Sequence, residues 1–241
     1  MSETVYPLAG VAALERRGLR DRVYDLVLDM LMTADLAPGT RLSIDAIARD
    51  LRVSPTPVRE ALVQLERTGL VVREALKGYR VAPPLAAEHL EALFDARLVL
   101  EGGATDLAAR HADGLVPRLE QALADHIAIS HVVDEAVDLG EKLSVGLIRD
   151  YFAVDWNFHH LIFEGTQNPF LLDMSEAIST RVHRMRQTVK SGVSDADDAV
   201  LEHGAILEAF RSGEKDAPGR AMRDHIERVR ERARRDVAAD S

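Results

Sequence analysis

The segment Ser54-Pro55-Thr56-Pro57 constrains the fold of this chain more than any other. Two prolines one residue apart cannot stand inside a helix or a central strand, because proline lacks a backbone N–H and its ring fixes φ. Yet an apolar row at helical spacing follows at once, through Val58, Ala61, Leu62 and Leu65. The two facts agree if Ser54 is the N-cap and the prolines take the first and third helical positions, where an N–H has no intrahelical partner anyway. The spacing therefore predicts a helix that starts here and stops at Gly69, a residue suited to the position after a helix end.

The residues on either side fit one arrangement around that helix. Leu19, Val23, Leu26, Val27, Met30 and Leu31 recur at helical spacing before the breaker Ala37-Pro38-Gly39. Ser43 can cap a short helix whose inner face is Ile44, Ile47, Ala48 and Leu51, and Arg52-Val53 leaves only a tight turn before Ser54. Beyond Gly69, residues 70–73 and 79–82 are β-prone, with 74–78 as the turn between them. Three helices and a small β-hairpin make a winged helix-turn-helix over residues 18–82, after an N-terminal extension of residues 1–17.

Ala82-Pro83-Pro84 resists both strand and helix and opens a linker, residues 83–87. From there to residue 238 only helical periodicity is found, with breaks near 111–114, 131–134, 140, 165–169, 192–195 and 213–216. The expectation is a mainly α chain whose second domain, residues 88–238, is an all-helical bundle of about six helices. No run of about 18 apolar residues occurs, and the start lacks a basic and then apolar leader, so a cytoplasmic protein without a membrane partner is expected. The absence of cysteine excludes thiolate metal sites and thiol catalysis. The net charge of −10 speaks against a nucleic-acid partner until it is divided. Residues 1–83 carry 12 Lys/Arg against 11 Asp/Glu, so the acidic excess falls entirely in the second domain.

The ordered pattern Pro38-Gly39-Thr40-Arg41-Leu42, Ile47-Ala48, Val53-Ser54-Pro55-Thr56-Pro57-Val58-Arg59-Glu60-Ala61-Leu62, Leu65-Glu66, Gly69-Leu70-Val71 and Gly78-Tyr79-Arg80-Val81 resembles the winged helix of the GntR family of transcription regulators. The resemblance implies binding to double-stranded operator DNA through Arg41, Ser54, Thr56, Arg59, Lys77 and Gly78. The physical chemistry agrees: the N-terminal end of a recognition helix faces base edges, and its open N–H groups favour phosphate. Arg59 can bond a guanine edge through two donors, while Lys77 and Gly78 resemble the family's minor-groove contact at the wing tip. The bland alternatives are that Ser54 only caps the helix and that Arg59 only forms a surface ion pair. Pro55 stands where many members carry Arg, a departure that bears on one base contact.

The second domain holds buried-looking polar residues in register. Asp155 and His159 fall one turn apart inside the stripe Leu147, Ile148, Tyr151, Phe152, Phe158 and Ile162. His203 lies in line with Val200, Ile206, Leu207 and Phe210, and His225 sits among Ala221, Met222 and Val229. A lone inward His is usually a satisfied core residue, but three with a carboxylate can share one divalent cation that satisfies all four. Asp155-x3-His159, Glu202-His203 and His225-Ile226 resemble the metal-binding branch of the FCD ligand domain, the helical partner in FadR-type GntR regulators. The resemblance implies a divalent ion on Asp155, His159, His203 and His225, zinc first, with nickel, manganese or iron(II) also compatible with these donors. His160 falls on another face.

Arg97 and Glu101 interrupt the stripe Leu90, Leu93, Phe94, Ala104 and Ala108. Either they form an i,i+4 pair that solvates this face, or Arg97 clamps an anionic effector beside the metal. Asn168 is a second candidate for that pocket, or else the cap of the next helix. Arg228, Arg230, Arg232, Arg234 and Arg235 alternate with Glu227, Glu231 and Asp236 and read as a solvated face. The expected function is a homodimeric regulator, a repressor released by a small organic or sugar acid bound at the metal. The alternatives are a metal-free sensor of the acyl-CoA type and a metal-dependent hydrolase, the latter lacking an inward general base at motif spacing.

Overall fold

The short turn between two helices decides the first unit, and the structure builds it as the residues demand. A computed structural model of the chain describes residues 10–33, 36–83, 86–141, 143–188 and 196–239. It divides into two compact units, residues 1–83 and 84–241. The first contains α1 (Gly10–Thr33), β1 (Arg41–Leu42), α2 (Ile44–Asp50), α3 (Pro55–Thr68), β2 (Val71–Glu74) and β3 (Gly78–Val81). Ser43 caps α2 by accepting a bond from the Ala46 N–H at 3.3 Å. Arg52, at φ 55°, makes the turn into α3, which starts with Pro55 at its first position. Gly69 ends α3 at φ 79°, a left-handed conformation that a side chain adopts only at a cost.

Val23, Val27, Val58, Ala61, Leu62, Leu65, Val71 and Tyr79 close the core of this unit. α1 begins at Gly10, inside the stretch read as the N-terminal extension, residues 1–17; residues 1–9 lie outside the described residues. Leu19 and Leu26 are exposed, since the inner face of α1 is narrower than its apolar stripe. The hairpin gains a strand: β1 pairs antiparallel with β3, Leu42 opposite Tyr79, and the order becomes β1-β3-β2. A two-residue strand is too short to show alternation in sequence.

The second unit is helical throughout. Its elements are α4 (Ala87–Ala108), a 3-10 turn (Ala109–His111), α5 (Ala112–Asp138), α6 (Val145–Gly165), α7 (Pro169–Thr188), α8 (Ala196–Arg211) and α9 (Ala217–Ala239). The six α-helices match the expected number, but the break placed at 131–134 does not exist. There α5 continues, because Ser130 and Val133 extend the buried face set by Leu115, Leu119, Ala122 and His126. The breaks at 140, 165–169 and 213–216 are present, and that at 192–195 lies outside the described residues, as do Pro84 and Leu85 of the linker. Leu90, Phe94, Leu119, Phe158, Ile162, Ile206, Phe210, Met222 and Ile226 form the core. It surrounds a polar centre fed by α4, α5, α6, α8 and α9.

Leu62 is wholly buried at the middle of α3. Leu62→Ala should cost about 2–5 kcal/mol in chemical denaturation, the range for emptying a packed leucine site, and a loss below about 1 kcal/mol would contradict this packing.

Candidate metal centre and DNA-reading end

Three imidazoles meet where α6, α8 and α9 converge. One ligand atom from each of His159, His203 and His225 falls within 4.8 Å of the others. The Nε2 atoms of His203 and His159 are 3.2 Å apart, close to the separation of about 3.3 Å that two nitrogens adopt on a tetrahedral zinc. His225 Nε2 is buried and has no hydrogen-bond partner among the described residues. Asp155, one turn before His159 on α6, places Oδ1 3.9 Å from His203 Nε2. All four side chains are buried. These donors fit a divalent cation: three neutral nitrogens and one carboxylate, without sulfur. Phe158 stacks on the His203 ring at 4.3 Å and Trp156 on the His159 ring at 5.6 Å, which fixes two of the ring planes.

Behind each imidazole stands a group that orients it. The other nitrogen of His159 lies 2.7 Å from Glu101 Oε2, and Arg97 holds that carboxylate from one turn back through a 2.6 Å bond. The Nδ1 of His225 lies 2.7 Å from Glu202 Oε2, and Arg232 donates to both oxygens of Glu202, at 2.7 and 3.0 Å. Two arginine–carboxylate–histidine chains thus approach the centre from opposite sides. The third imidazole differs: His203 Nδ1 meets His126 Nδ1 at 3.1 Å, so a second imidazole does what carboxylates do for the other two. Such outer partners fix the tautomer that presents a lone pair to a metal.

The surroundings favour the neutral form of His203 and His225 and the charged form of Glu101 and Glu202. Burial, helped by His159 and His225, pushes His203 well below its ordinary value. Burial also lowers His225, against the pull of Glu202. Burial acts to raise Glu101, but Arg97 and His159 beside it hold the carboxyl well below the carboxylate range. In Glu202 the same opposition is won by His225 and Arg232, at about 2.

Several sequence expectations are revised here. Arg97 and Glu101 do form the i,i+4 pair, but each is only 1% exposed, so the pair solvates nothing; it supports His159. Arg97 Nη1, buried, keeps no hydrogen-bond partner among the described residues. Asn168, offered for the effector pocket, has its side-chain oxygen committed to the N-terminus of α7, accepting from Phe170 N–H at 3.0 Å and Leu171 N–H at 3.4 Å. Arg232 does not belong to a solvated face: it is 13% exposed and locked on Glu202, and Arg230, equally buried, binds Glu91 and Asp95. His160 faces elsewhere, toward Glu164. His126 was not anticipated, although Leu119, Ala122, His126 and Ser130 carry helical spacing.

In the first unit, Ser54, Thr56 and Arg59 are exposed at the start of α3. Ser54 has the extended backbone of an N-cap but makes no side-chain capping bond, which leaves its hydroxyl available. Arg59 forms no ion pair among the described residues. Arg41 is exposed on β1. At the wing tip Lys77 is exposed with a loose 3.6 Å approach to Glu74, and Gly78 takes φ 87°. Arg80 ties the wing down, forming an ion pair with Glu74 at 3.0 Å and donating to the Gly39 carbonyl at 2.8 Å.

A winged helix followed in the chain by a helical unit with a buried polar centre is the composition of a DNA-binding transcription regulator. The FCD domain matches residues 92–228, and the bacterial regulatory proteins of the gntR family match residues 19–81. The chain belongs to the GntR family of transcriptional regulators, in the group that carries an FCD domain. It is 25% identical over 216 residues to the HTH-type transcriptional repressor RspR of Escherichia coli, covering 90% of this chain and 89% of that one. The HTH-type transcriptional repressor GlaR of Escherichia coli is 28% identical over 204 residues, covering 81% and 87%. Among solved structures, E. coli McbR/YncC superposes with a TM-score of 0.69 at 20% identity, covering 90% of this chain and 97% of its own. No helix among the described residues is long and apolar enough to cross a membrane.

Two expectations follow. His126→Ala should weaken zinc binding about 10- to 100-fold in competition with a chelating dye, the usual effect of removing an outer partner; unchanged affinity would remove His126 from the site. In metal-free protein, His203 and His225 are depressed below 6.5 in the folded state, so their stabilising contribution is whole above that pH and lost as pH falls. Glu101 and Glu202, depressed below 4.5, act with the same sign at lower pH. The melting temperature should stay level above roughly pH 6.5 and fall below it. A rise on acidification would contradict the neutral-ring assignment.

Proposed function

We propose that this protein is a repressor whose grip on operator DNA is released when a small organic or sugar acid binds a metal ion held by Asp155, His159, His203 and His225. The supporting observation is the convergence of three Nε2 donors, each ring backed through its other nitrogen by Glu101, Glu202 or His126. A core built for packing alone does not need three imidazoles with three dedicated partners. Four protein donors leave positions open on a six-coordinate ion such as nickel, manganese or iron(II), and zinc accepts a further ligand by leaving tetrahedral geometry; a carboxylate is a ligand for any of them. Arg97 supplies the neighbouring donor, since its Nη1 is not used by Glu101.

On the DNA side Arg59 reads a base edge, Ser54 and Thr56 hold phosphate or base at the start of α3, and Arg41, Lys77 and Gly78 contribute flanking contacts. The protein acts as a homodimer on near-palindromic sites, the arrangement that two-fold winged-helix readers use. That RspR and GlaR are described as repressors supports the sign of regulation. The acid acts only by binding the released arrangement more tightly than the DNA-bound one.

With a duplex selected from a random pool, Arg59→Ala should lose about 1–3 kcal/mol of binding, and an unchanged anisotropy titration would overturn its role. Elemental analysis of protein purified without chelator should give about one divalent ion per chain, falling in His203→Ala; well under one in the unaltered protein would favour a metal-free sensor.

A further inference from the structure

The tip of the wing carries a side chain that its own unit does not use. The turn between β2 and β3 is closed by the Lys77 N–H, which donates to the Glu74 carbonyl at 3.1 Å, and Leu76, third of the four turn residues, sits at φ 64°. That left-handed position suits glycine or asparagine and disfavours a larger side chain. Leu76 is 107% exposed, whereas the next most exposed large apolar side chains among the described residues, Val99 and Phe170, stand at 74%. It is not among the residues that close or cover the core of its unit. A lone leucine on a surface needs no explanation, but one held outward at a hairpin tip in a disfavoured backbone conformation does. The base of the hairpin is firm, since Arg80 pairs with Glu74 and donates to the Gly39 carbonyl. Lys77, beside the leucine, is 69% exposed and approaches Glu74 only to 3.6 Å. The tip therefore presents a cation and an apolar side chain together.

We infer that Leu76 is an apolar wedge for the minor groove of operator DNA, pressing on deoxyribose and base edges while Lys77 holds phosphate. This rests on the reading above that the wing contacts the duplex beside the site of α3. The minor groove is about 6 Å wide, room for one aliphatic side chain at a hairpin tip but not for a helix. Leucine is among the side chains that wedge base steps from this groove. The contact takes out of water the apolar surface that the folded unit leaves exposed. It neutralises no phosphate and so releases no counterion: Leu76 adds affinity without adding salt dependence, and Lys77 adds both.

The test uses the full-length protein and a duplex selected from a random pool. Leu76→Asn, whose side chain tolerates the left-handed backbone, should keep or raise the melting temperature while weakening binding about tenfold, with the slope of log K against log salt unchanged. Lys77→Ala should instead reduce that slope by about one. Leu76→Met, still apolar, should retain most of the affinity. The chain has no cysteine, so an iron–EDTA group tethered through Leu76→Cys probes one place only. Strand cuts offset toward the 3′ ends of the two strands locate the tip in the minor groove. Such cuts together with undiminished binding by Leu76→Asn overturn the inference and leave the wing on the DNA. Weaker binding matched by a lower melting temperature assigns Leu76 to the fold and overturns it as well. If no such cuts fall beside the site, the wing reading fails and this inference fails with it.

Discussion

Imidazoles buried on three helices of one bundle must find partners for six ring nitrogens, and this requirement organises the second unit. An apolar core offers none, and an unsatisfied buried polar group costs as much as several good packing contacts gain. The chain meets the requirement from within: Glu101 on α4, His126 on α5 and Glu202 on α8 each take one nitrogen. The second nitrogen of each ring is thereby aimed at a common point. What remains there is a set of ring nitrogens within 4.8 Å of one another, a cluster that could hold a metal ion.

Each supporting carboxylate needs a cation in turn, which explains why two arginines lie so far inside a small helical unit. Arg97 and Glu101 are a helical turn apart, so local geometry brings them together. Arg232 reaches Glu202 across the contact between α9 and α8, so this pair also ties those helices to each other. Breaking either pair leaves a buried charge uncovered, which is more damaging than its absence from the start. The same networks that stabilise the bundle therefore set the orientation of the rings. Under the proposed function, effector sensing and folding would draw on one group of side chains.

How much of this could be read beforehand varied with the kind of signal. Proline is unambiguous, and Pro55 and Pro57 placed the start of α3 to the residue. Asp155, His159, His203 and His225 were legible because each interrupts an apolar stripe at helical spacing. His126 carried the same signal, but a break assumed at 131–134 cut its helix short and hid the continuity from Leu115 to Val133. Arg232 was lost in a row of five arginines, since one turn of α9 separates a buried guanidinium from an exposed one. Asn168 carried two readings, pocket or cap, and its side-chain oxygen caps α7, the local use that a polar residue before proline offers. The partners of the imidazoles come from helices far apart in sequence, and no spacing rule reaches across such distances.

We read the convergence of His159, His203 and His225 as a centre that holds a metal ion. A crystal of the protein grown without chelator, with diffraction recorded on both sides of the zinc absorption edge, tests it most directly. One strong anomalous peak per chain is expected, about 2.0–2.1 Å from the Nε2 atoms of all three rings, with Asp155 turned toward it. If zinc is replaced by another ion, the peak appears at that element's edge in the same place. No anomalous peak between the three rings in protein that retains its fold, or one confined to the surface, would contradict the account.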